Sequence, residues 1–240
     1  MKIPVVKEWG SWAVFISSLL AGLVTGLLTS TRETGRGIPA LTALTIAGLA
    51  FLVNSKNPLA SALRTRWKKK EHVFWFLFFS VSGLALLIPF LRDGIKTFSI
   101  FSVLALSYGI LLYKGKEHSL FAEYNGFALL ALSAPVIYFT VTGELSLKLY
   151  AAVLLFFGAG VFKVRVRTRK TLKYRWLMAL YCAVAVVLYS LMNISVVMLL
   201  PLIENLISVI SMREEKLRVT GYTELVKGIM FIILIGFFWQ

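Results

Sequence analysis

Residues 161–176 read VFKVRVRTRKTLKYRW, and in this stretch a long apolar run ends and seven cationic residues follow almost without interruption. Most of the remaining sequence consists of apolar blocks of about 20 residues, the length that a helix needs to cross a bilayer core. Of the 240 residues, 58% are hydrophobic and only 15% are charged, which excludes an ordinary soluble domain. The sequence therefore predicts an all-α, polytopic membrane protein in which residues 1–240 form one integral membrane domain.

The apolar blocks predict about nine transmembrane helices joined by short connections. We place them at about 10–28, 38–53, 73–91, 95–113, 123–142, 147–162, 176–192, 196–212 and 221–239. Asn54 and Pro58 are expected to end the second helix, residues 92–94 to turn the chain after the third, and Pro135 to kink the fifth.

Lysine and arginine collect in the N-terminal segment and in the connections after the second, fourth, sixth and eighth blocks. Cytoplasmic loops of membrane proteins carry an excess of these two residues. We therefore expect a multi-pass protein of the cell membrane, with its N-terminus in the cytoplasm and its C-terminus outside.

The formal net charge of +15 suggests two classes of partner. In a soluble protein it would favour nucleic acid, whereas in a membrane protein it is typical of loops that meet anionic lipid head groups. We expect membrane lipids, and no nucleic acid, as partners. Cys182 is the only cysteine, so the chain lacks the residues for a disulfide, an iron–sulfur cluster or a thiol-based zinc site. Both histidines fall in loops, so no two are expected to face each other across helices as a membrane haem requires. Neither a metal nor a cofactor is predicted.

Four arginines in the two largest basic segments are candidate ligand-binding residues: Arg64, Arg66, Arg165 and Arg167. One interpretation is that they mark the cytoplasmic side and contact lipid head groups. The other is that they converge on a phosphate group, whose geometry the arginine fork matches. In an extended segment the cations at 163, 165, 167 and 169 would share one face, whereas on a helix they would wrap around it. Our leading hypothesis is that the protein binds or handles an amphipathic anionic lipid, isoprenoid or phosphorylated, at the cytoplasmic face.

Glu204 and Lys227 lie within predicted membrane helices at similar depths from the cytoplasmic side. Ionised side chains at such depths are normally paired or functional. One interpretation is an intramembrane Glu204–Lys227 charge pair, although Glu224 is also placed to contact Lys227. The alternative function is a small-molecule or ion transporter that uses Glu204 as a proton or ion site and Lys227 as its partner.

Ser18, Gly22 and Gly26 fall four residues apart in the first apolar block. Such a stripe of small residues allows another helix to approach closely. A third possibility is therefore a non-enzymatic assembly partner that docks on this stripe. The sequence contains no catalytic pattern, and whether the protein is an enzyme stays open.

Four segments carry a resemblance to a known family: KEWGSWAVF at residues 7–15, EYNGFALLALSAPVIYFTVTG at 123–143, GAGVFKVRVRTRK at 158–170 and VTGYTELVKG at 219–228. In these segments the chain resembles the YwiC-like family of bacterial membrane proteins. At the first of these the family tends to have Glu-His-Gly-Ala-Trp-Ala, and Trp9 stands here in place of the histidine.

The layout is also similar, more distantly, to the UbiA superfamily of intramembrane prenyltransferases. That resemblance implies a bundle of two halves around a lateral cavity, with large cytoplasmic loops after the second and sixth helices. In that superfamily these loops carry aspartate-rich motifs that hold magnesium and an isoprenoid diphosphate. Residues 54–58 and 163–167 contain no carboxylate, and because magnesium requires oxygen ligands, magnesium-dependent prenyl transfer is not expected.

Overall fold

The structure is a computed structural model that describes residues 9–33, 40–169, 171–210 and 217–239. Within these ranges the chain is helical apart from short turns, and no strand is present. The predicted all-α class is confirmed. Lys170 of the basic stretch, like residues 7 and 8 of the N-terminal motif, lies outside the described residues.

Ten α-helices and two 3₁₀ segments make up the described part of the chain. The α-helices are α1 (Trp9–Glu33), α2 (Ala40–Arg64), α3 (Lys70–Phe98), α4 (Ser102–Tyr113), α5 (Leu120–Ala131), α6 (Ser133–Thr142), α7 (Leu147–Arg169), α8 (Leu172–Leu191), α9 (Ile203–Ile210) and α10 (Leu217–Phe238). The 3₁₀ segments Ser99–Phe101 and Val196–Leu202 directly precede α4 and α9.

Six helical stretches within the described residues are long and apolar enough to cross a membrane: Gly10–Ser30, Lys70–Tyr113, Leu120–Thr142, Leu147–Arg169, Leu172–Leu191 and Gly221–Phe238. The second has 44 residues. A straight helix of that length would extend about 66 Å, roughly twice the thickness of a bilayer core, and the 3₁₀ segment Ser99–Phe101 divides it. The chain is therefore a multi-pass membrane protein, and the count of about nine crossings stays a prediction.

Helix α7 continues well beyond residue 162, where the sixth apolar block was predicted to end, and stops at Arg169. Residues 161–169 contain neither proline nor glycine, and lysine and arginine are good helix formers. Most of the basic stretch is therefore helical and not a loop, and the connection to α8 is short.

Helices α2 and α3 also extend past the residues that were expected to end them. Helix α2 passes through Asn54 and Pro58 to Arg64, and α3 passes through residues 92–94 to Phe98. The Asn54 side chain folds back on its own helix, where its amide donates to the Ala50 carbonyl over 3.0 Å, so it does not end α2. Polar side chains and neighbouring helices can satisfy backbone groups near a proline inside a membrane helix, so the proline does not end it.

The core of the bundle is centred on α7, more than half of whose residues are buried. Its residues Leu149, Ala152, Val153 and Ala159 are fully buried, and α7 packs against α5 and α8. The Tyr189 hydroxyl of α8 donates to the Ala152 carbonyl over 2.7 Å. The residues at the end of α7 are consequently held between neighbouring helices.

The small-residue stripe of α1 packs against α6 of the same chain. Ser18 is fully buried, a side chain added at Gly22 would overlap the backbone of Ala134, and Gly26 lies against Val141. The absence of large side chains lets the two helices approach closely. The prediction of a docking face for a separate protein at this stripe is therefore wrong, because α6 already covers it.

Candidate functional site

Helix α7 presents its basic residues on two different faces. Positions four apart lie on the same face of a helix, so Lys163 and Arg167 point together, whereas Arg165 lies on another face. Lys163 and Arg167 contact carboxylates of α9 and α10. Arg165 contacts α5 and the connection that precedes it. Residues 163–169 are therefore helical and not extended, and their cations wrap around the helix.

Four charged side chains meet beside the first face of α7 and form what we call the charge cluster: Lys163, Glu204, Glu224 and Lys227. Lys163 Nζ contacts Glu204 Oε2 and lies 2.9 Å from Glu224 Oε1. Lys227 Nζ contacts Glu224 Oε1 and lies 3.2 Å from Glu204 Oε2. Each lysine thus reaches both carboxylates, and the cluster joins α7, α9 and α10.

Three further polar side chains surround the charge cluster. Arg167 Nη2 lies 3.7 Å from Glu204 Oε1, and Lys163 Nζ donates to Thr223 Oγ1 over 3.3 Å. Lys227 Nζ also donates to Asn205 Oδ1 over 2.5 Å. The Asn205 Nδ2 atom is buried and has no hydrogen-bond partner among the described residues.

The lysines of the charge cluster are buried, while its carboxylates are partly open. Lys163 is 1% exposed, whereas the side chains of Glu204 and Glu224 are 36% and 28% exposed. On the side away from the basic end of α7, Phe156 stacks on Phe231 with ring centroids 4.1 Å apart. The cluster is therefore open on one side, and aromatic rings lie deeper in the bundle.

Two ion pairs outside the charge cluster form what we call the rim pairs: Arg165–Glu123 and Arg64–Glu117. Arg165 Nε lies 2.8 Å from Glu123 Oε2, and the same guanidinium donates to the His118 carbonyl over 2.7 Å. Arg64 Nη2 lies 2.6 Å from Glu117 Oε1. Both arginines therefore bind the connection between α4 and α5.

The four arginines predicted to bind a ligand thus take different positions. Arg64 and Arg165 meet at residues 117–118, and Arg167 lies beside the charge cluster. Arg66 is exposed in the turn after α2 and has a left-handed backbone, with φ of 49°.

Of the residues predicted to lie within the membrane, Glu204 and Lys227 are brought together, and Glu224 contacts Lys227 as well. Sequence reasoning missed Lys163, because it placed this residue in a loop. The signal that could have revealed it is the absence of proline and glycine from residues 163–169, which favours continuation of the helix.

The first half of the chain matches the family model described as YwiC-like protein, over residues 5–138. The chain belongs to the YwiC-like family. The matched residues cover α1 to α5 and part of α6, and they include Arg64, Glu117 and Glu123 of the rim pairs. Helices α7, α9 and α10, which supply the charge cluster of this YwiC-like chain, lie beyond the match. No curated protein and no solved structure matches the chain.

The site of this YwiC-like protein is one of ammonium, guanidinium and carboxylate groups. In the described ranges, no group of three or more histidine, cysteine, aspartate or glutamate residues is placed to hold a metal ion. Each carboxylate is shared by two ammonium groups, so a change in the charge of one carboxylate alters the surroundings of both lysines.

Proposed function

We propose that this YwiC-like protein is a small-molecule or ion transporter whose ion-handling site is the charge cluster. The observation that carries the proposal is the contact of Lys163 and Lys227 with Glu204 and Glu224 between three helices of a membrane protein. Placing charged groups away from water costs several kcal/mol per ion. Ionisable residues within membrane bundles mark ion pathways and proton relays for this reason.

The partial exposure of the two carboxylates supports the transport proposal over a purely structural role. A pair that only fastens helices together has no need of access to solvent, whereas an ion site must load and release. Glu204 also lies on α9, a helix of eight residues that follows a 3₁₀ segment. A short element of this kind can shift with less disturbance than a long packed helix.

The proposal includes a topology of about nine crossings in the cell membrane, arranged as a UbiA-like bundle with a cytoplasmic N-terminus and an outside C-terminus. The rim pairs support part of it, because Arg64 at the end of α2 and Arg165 near the end of α7 both bind residues 117–118. The ends of α2, α4 and α7 therefore lie on one side of the bundle. These are the connections that the excess of lysine and arginine assigns to the cytoplasm.

The test is proton-coupled flux through the purified full chain in liposomes that contain a pH-sensitive dye. Sodium, potassium, acetate and sulfate are each added outside, with and without an imposed pH gradient. We expect Glu204→Gln to abolish the pH-dependent flux that the wild-type protein shows. Glu144→Gln, at an exposed carboxylate outside the cluster, is the matched control and should behave as wild type. A wild-type protein that moves none of these ions, or a Glu204→Gln variant with full flux, would refute the proposal.

A second candidate function is the handling of an amphipathic anionic lipid by Arg64, Arg66, Arg165 and Arg167. The proximity of Arg64 and Arg165 at residues 117–118 favours it, as does the exposed Trp67 beside Arg66, since tryptophan is enriched at membrane interfaces. Native mass spectrometry of the purified protein tests this function. One stoichiometric anionic lipid, lost in the Arg165→Ala/Arg167→Ala variant, would support it; heterogeneous bulk phospholipid would contradict it.

A further inference from the structure

Among the described residues, the charge cluster and its neighbour Arg167 bring three cationic side chains against the carboxylates of Glu204 and Glu224. These cations are Lys163, Arg167 and Lys227. Lysine and arginine can only donate hydrogen bonds. If these two carboxylates became neutral, the three cations would lose the negative charges that they contact, which is unfavourable in a buried site.

Glu204 takes the position that a bound anion would take among these cations. One of its oxygens contacts Lys163 and lies 3.2 Å from Lys227 Nζ, and the other lies 3.7 Å from Arg167 Nη2. Glu224 is more firmly placed, because Lys227 lies three residues away on the same helix. Of the two carboxylates, Glu204 is also the more exposed, so it is the one that can leave toward solvent.

The side-chain amide of Asn205 gives an independent indication of a ligand, because it is a buried donor without an acceptor. The residue is 1% exposed and its Oδ1 accepts from Lys227, which leaves the buried Nδ2 without an acceptor among the described residues. A buried donor without an acceptor costs about 1–3 kcal/mol. An oxyanion between the lysines would supply oxygen atoms for this amide and for the cations together.

We propose that Lys163, Arg167, Lys227 and the Asn205 amide form a binding site for a phosphate-type oxyanion. In this structure Glu204 occupies the site with its own carboxylate. Protonation of Glu204 releases the cations, so anion binding is coupled to proton uptake. The inference rests on the proposed transport function and names its substrate class and its coupling ion.

Within the described ranges, charged and titratable groups reach this site from three helices. Lys163 and Arg167 face it from α7, and Lys227 and Glu224 face it from α10. From α8, the Cys182 thiol interacts electrostatically with Lys227. Of these groups, the two carboxylates lose their charge at acidic pH while the cations keep theirs, so the coupling takes one sign: acid favours anion binding. Reciprocity requires that the anion in turn favours protonation.

Equilibrium binding of radiolabelled sulfate tests the site, because the charge of sulfate is constant across the pH range used. The full chain is placed in nanodiscs of neutral phosphatidylcholine, at about pH 5.5 and about pH 7.5. For one coupled proton the affinity changes by up to about tenfold per pH unit, so we expect binding at least about tenfold tighter at the lower pH. Glu204→Gln should bind at both pH values as tightly as wild type does at the lower one.

Two further variants separate a specific site from general attraction to a basic surface. Arg167→Gln should weaken sulfate binding about tenfold or more, while Lys116→Gln, at an exposed cation away from the cluster, should leave it unchanged. Size-exclusion profiles of both variants report whether they fold. Equal loss in both variants, or a Glu204→Gln variant that keeps the wild-type pH dependence, would overturn the inference.

The source of the oxyanion is resolved by a second arm with nanodiscs that contain anionic phosphatidylglycerol. Sulfate binding in neutral nanodiscs indicates a free oxyanion. Retention of phosphatidylglycerol alone, with the same dependence on pH and on Glu204, indicates a lipid head group. Binding of neither overturns the inference. Proton-coupled flux without anion binding would overturn the inference alone, and anion binding without flux would overturn the transport function alone.

Discussion

The charge cluster and the rim pair Arg165–Glu123 both involve the end of α7, yet their charges are held in different ways. Lys163 is 1% exposed and reaches two carboxylates, which it shares with Lys227. Arg165, two residues later, binds one carboxylate and one backbone carbonyl. Arg64 binds one carboxylate and its side chain is 63% exposed.

The difference shows that the same residue types serve two purposes according to how many charged partners they share. In the rim pairs each arginine has one carboxylate, Arg64 is exposed while Arg165 is buried, and the ion pairs mainly fix the connection between α4 and α5. In the charge cluster, each charge depends on its neighbours because little water reaches the lysines. Removing one member there changes the state of all the others, which suits a site that responds to an ion.

The largest effect is expected for Lys163→Met, which leaves the two carboxylates with one fewer cation inside the bundle. Breaking a buried ion pair from one side costs about 3–5 kcal/mol. The measurement is reversible unfolding in mixed detergent micelles followed by circular dichroism. A variant as stable as wild type would show that the charge cluster does not hold α7, α9 and α10 together.

An intermediate effect is expected for Arg165→Met, because Glu123 keeps access to water when its partner is lost. A hydrogen bond to a charged group contributes about 1.5–3 kcal/mol. The connection between α4 and α5 should loosen, and trypsin should cleave faster after Lys116, as measured by mass spectrometry of the fragments. Arg175→Met serves as the control at a cation outside the rim pairs. Unchanged cleavage in Arg165→Met would mean that the rim pair does not fix this connection.

The smallest effect is expected for Arg64→Met, since exposed ion pairs contribute about 0.2–1 kcal/mol. Salt screens exposed charges, with a Debye length of about 3 Å at 1 M. The difference in melting temperature between this variant and wild type should therefore vanish in about 1 M sodium chloride. The effect of Lys163→Met should persist in the same buffer. If both differences disappeared in salt, the distinction between the charge cluster and the rim pairs would be lost.

Much of the fold follows from the sequence because composition constrains a membrane chain strongly. Apolar blocks of sufficient length must be helical, since a bilayer offers no partner for a free backbone group. The ends of helices were harder to place, and α2, α3 and α7 all ran past residues taken as boundaries. Pro58 illustrates why: in water a proline inside a helix usually ends it, whereas here the residue is buried within the bundle.

The candidate site was partly within reach of the sequence. Glu204 and Lys227 stood out because charges are rare in apolar blocks, and their similar depth suggested proximity. Lys163 did not stand out, because it begins a run of cations that resembles a loop. Its importance depends on one fact that the local sequence leaves open, namely that the helix continues and turns Lys163 away from Arg165.

The sequence by itself determined the class of the protein, its membership of the YwiC-like family and the presence of charges in its membrane helices, because composition and motifs are local properties. The tertiary structure decided which charges meet. Lys163 and Lys227 lie far apart along the chain and share two carboxylates only because α7, α9 and α10 pack together. Electrostatic pairing depends on distance in space and on exclusion of water, and neither is set until the helices have packed.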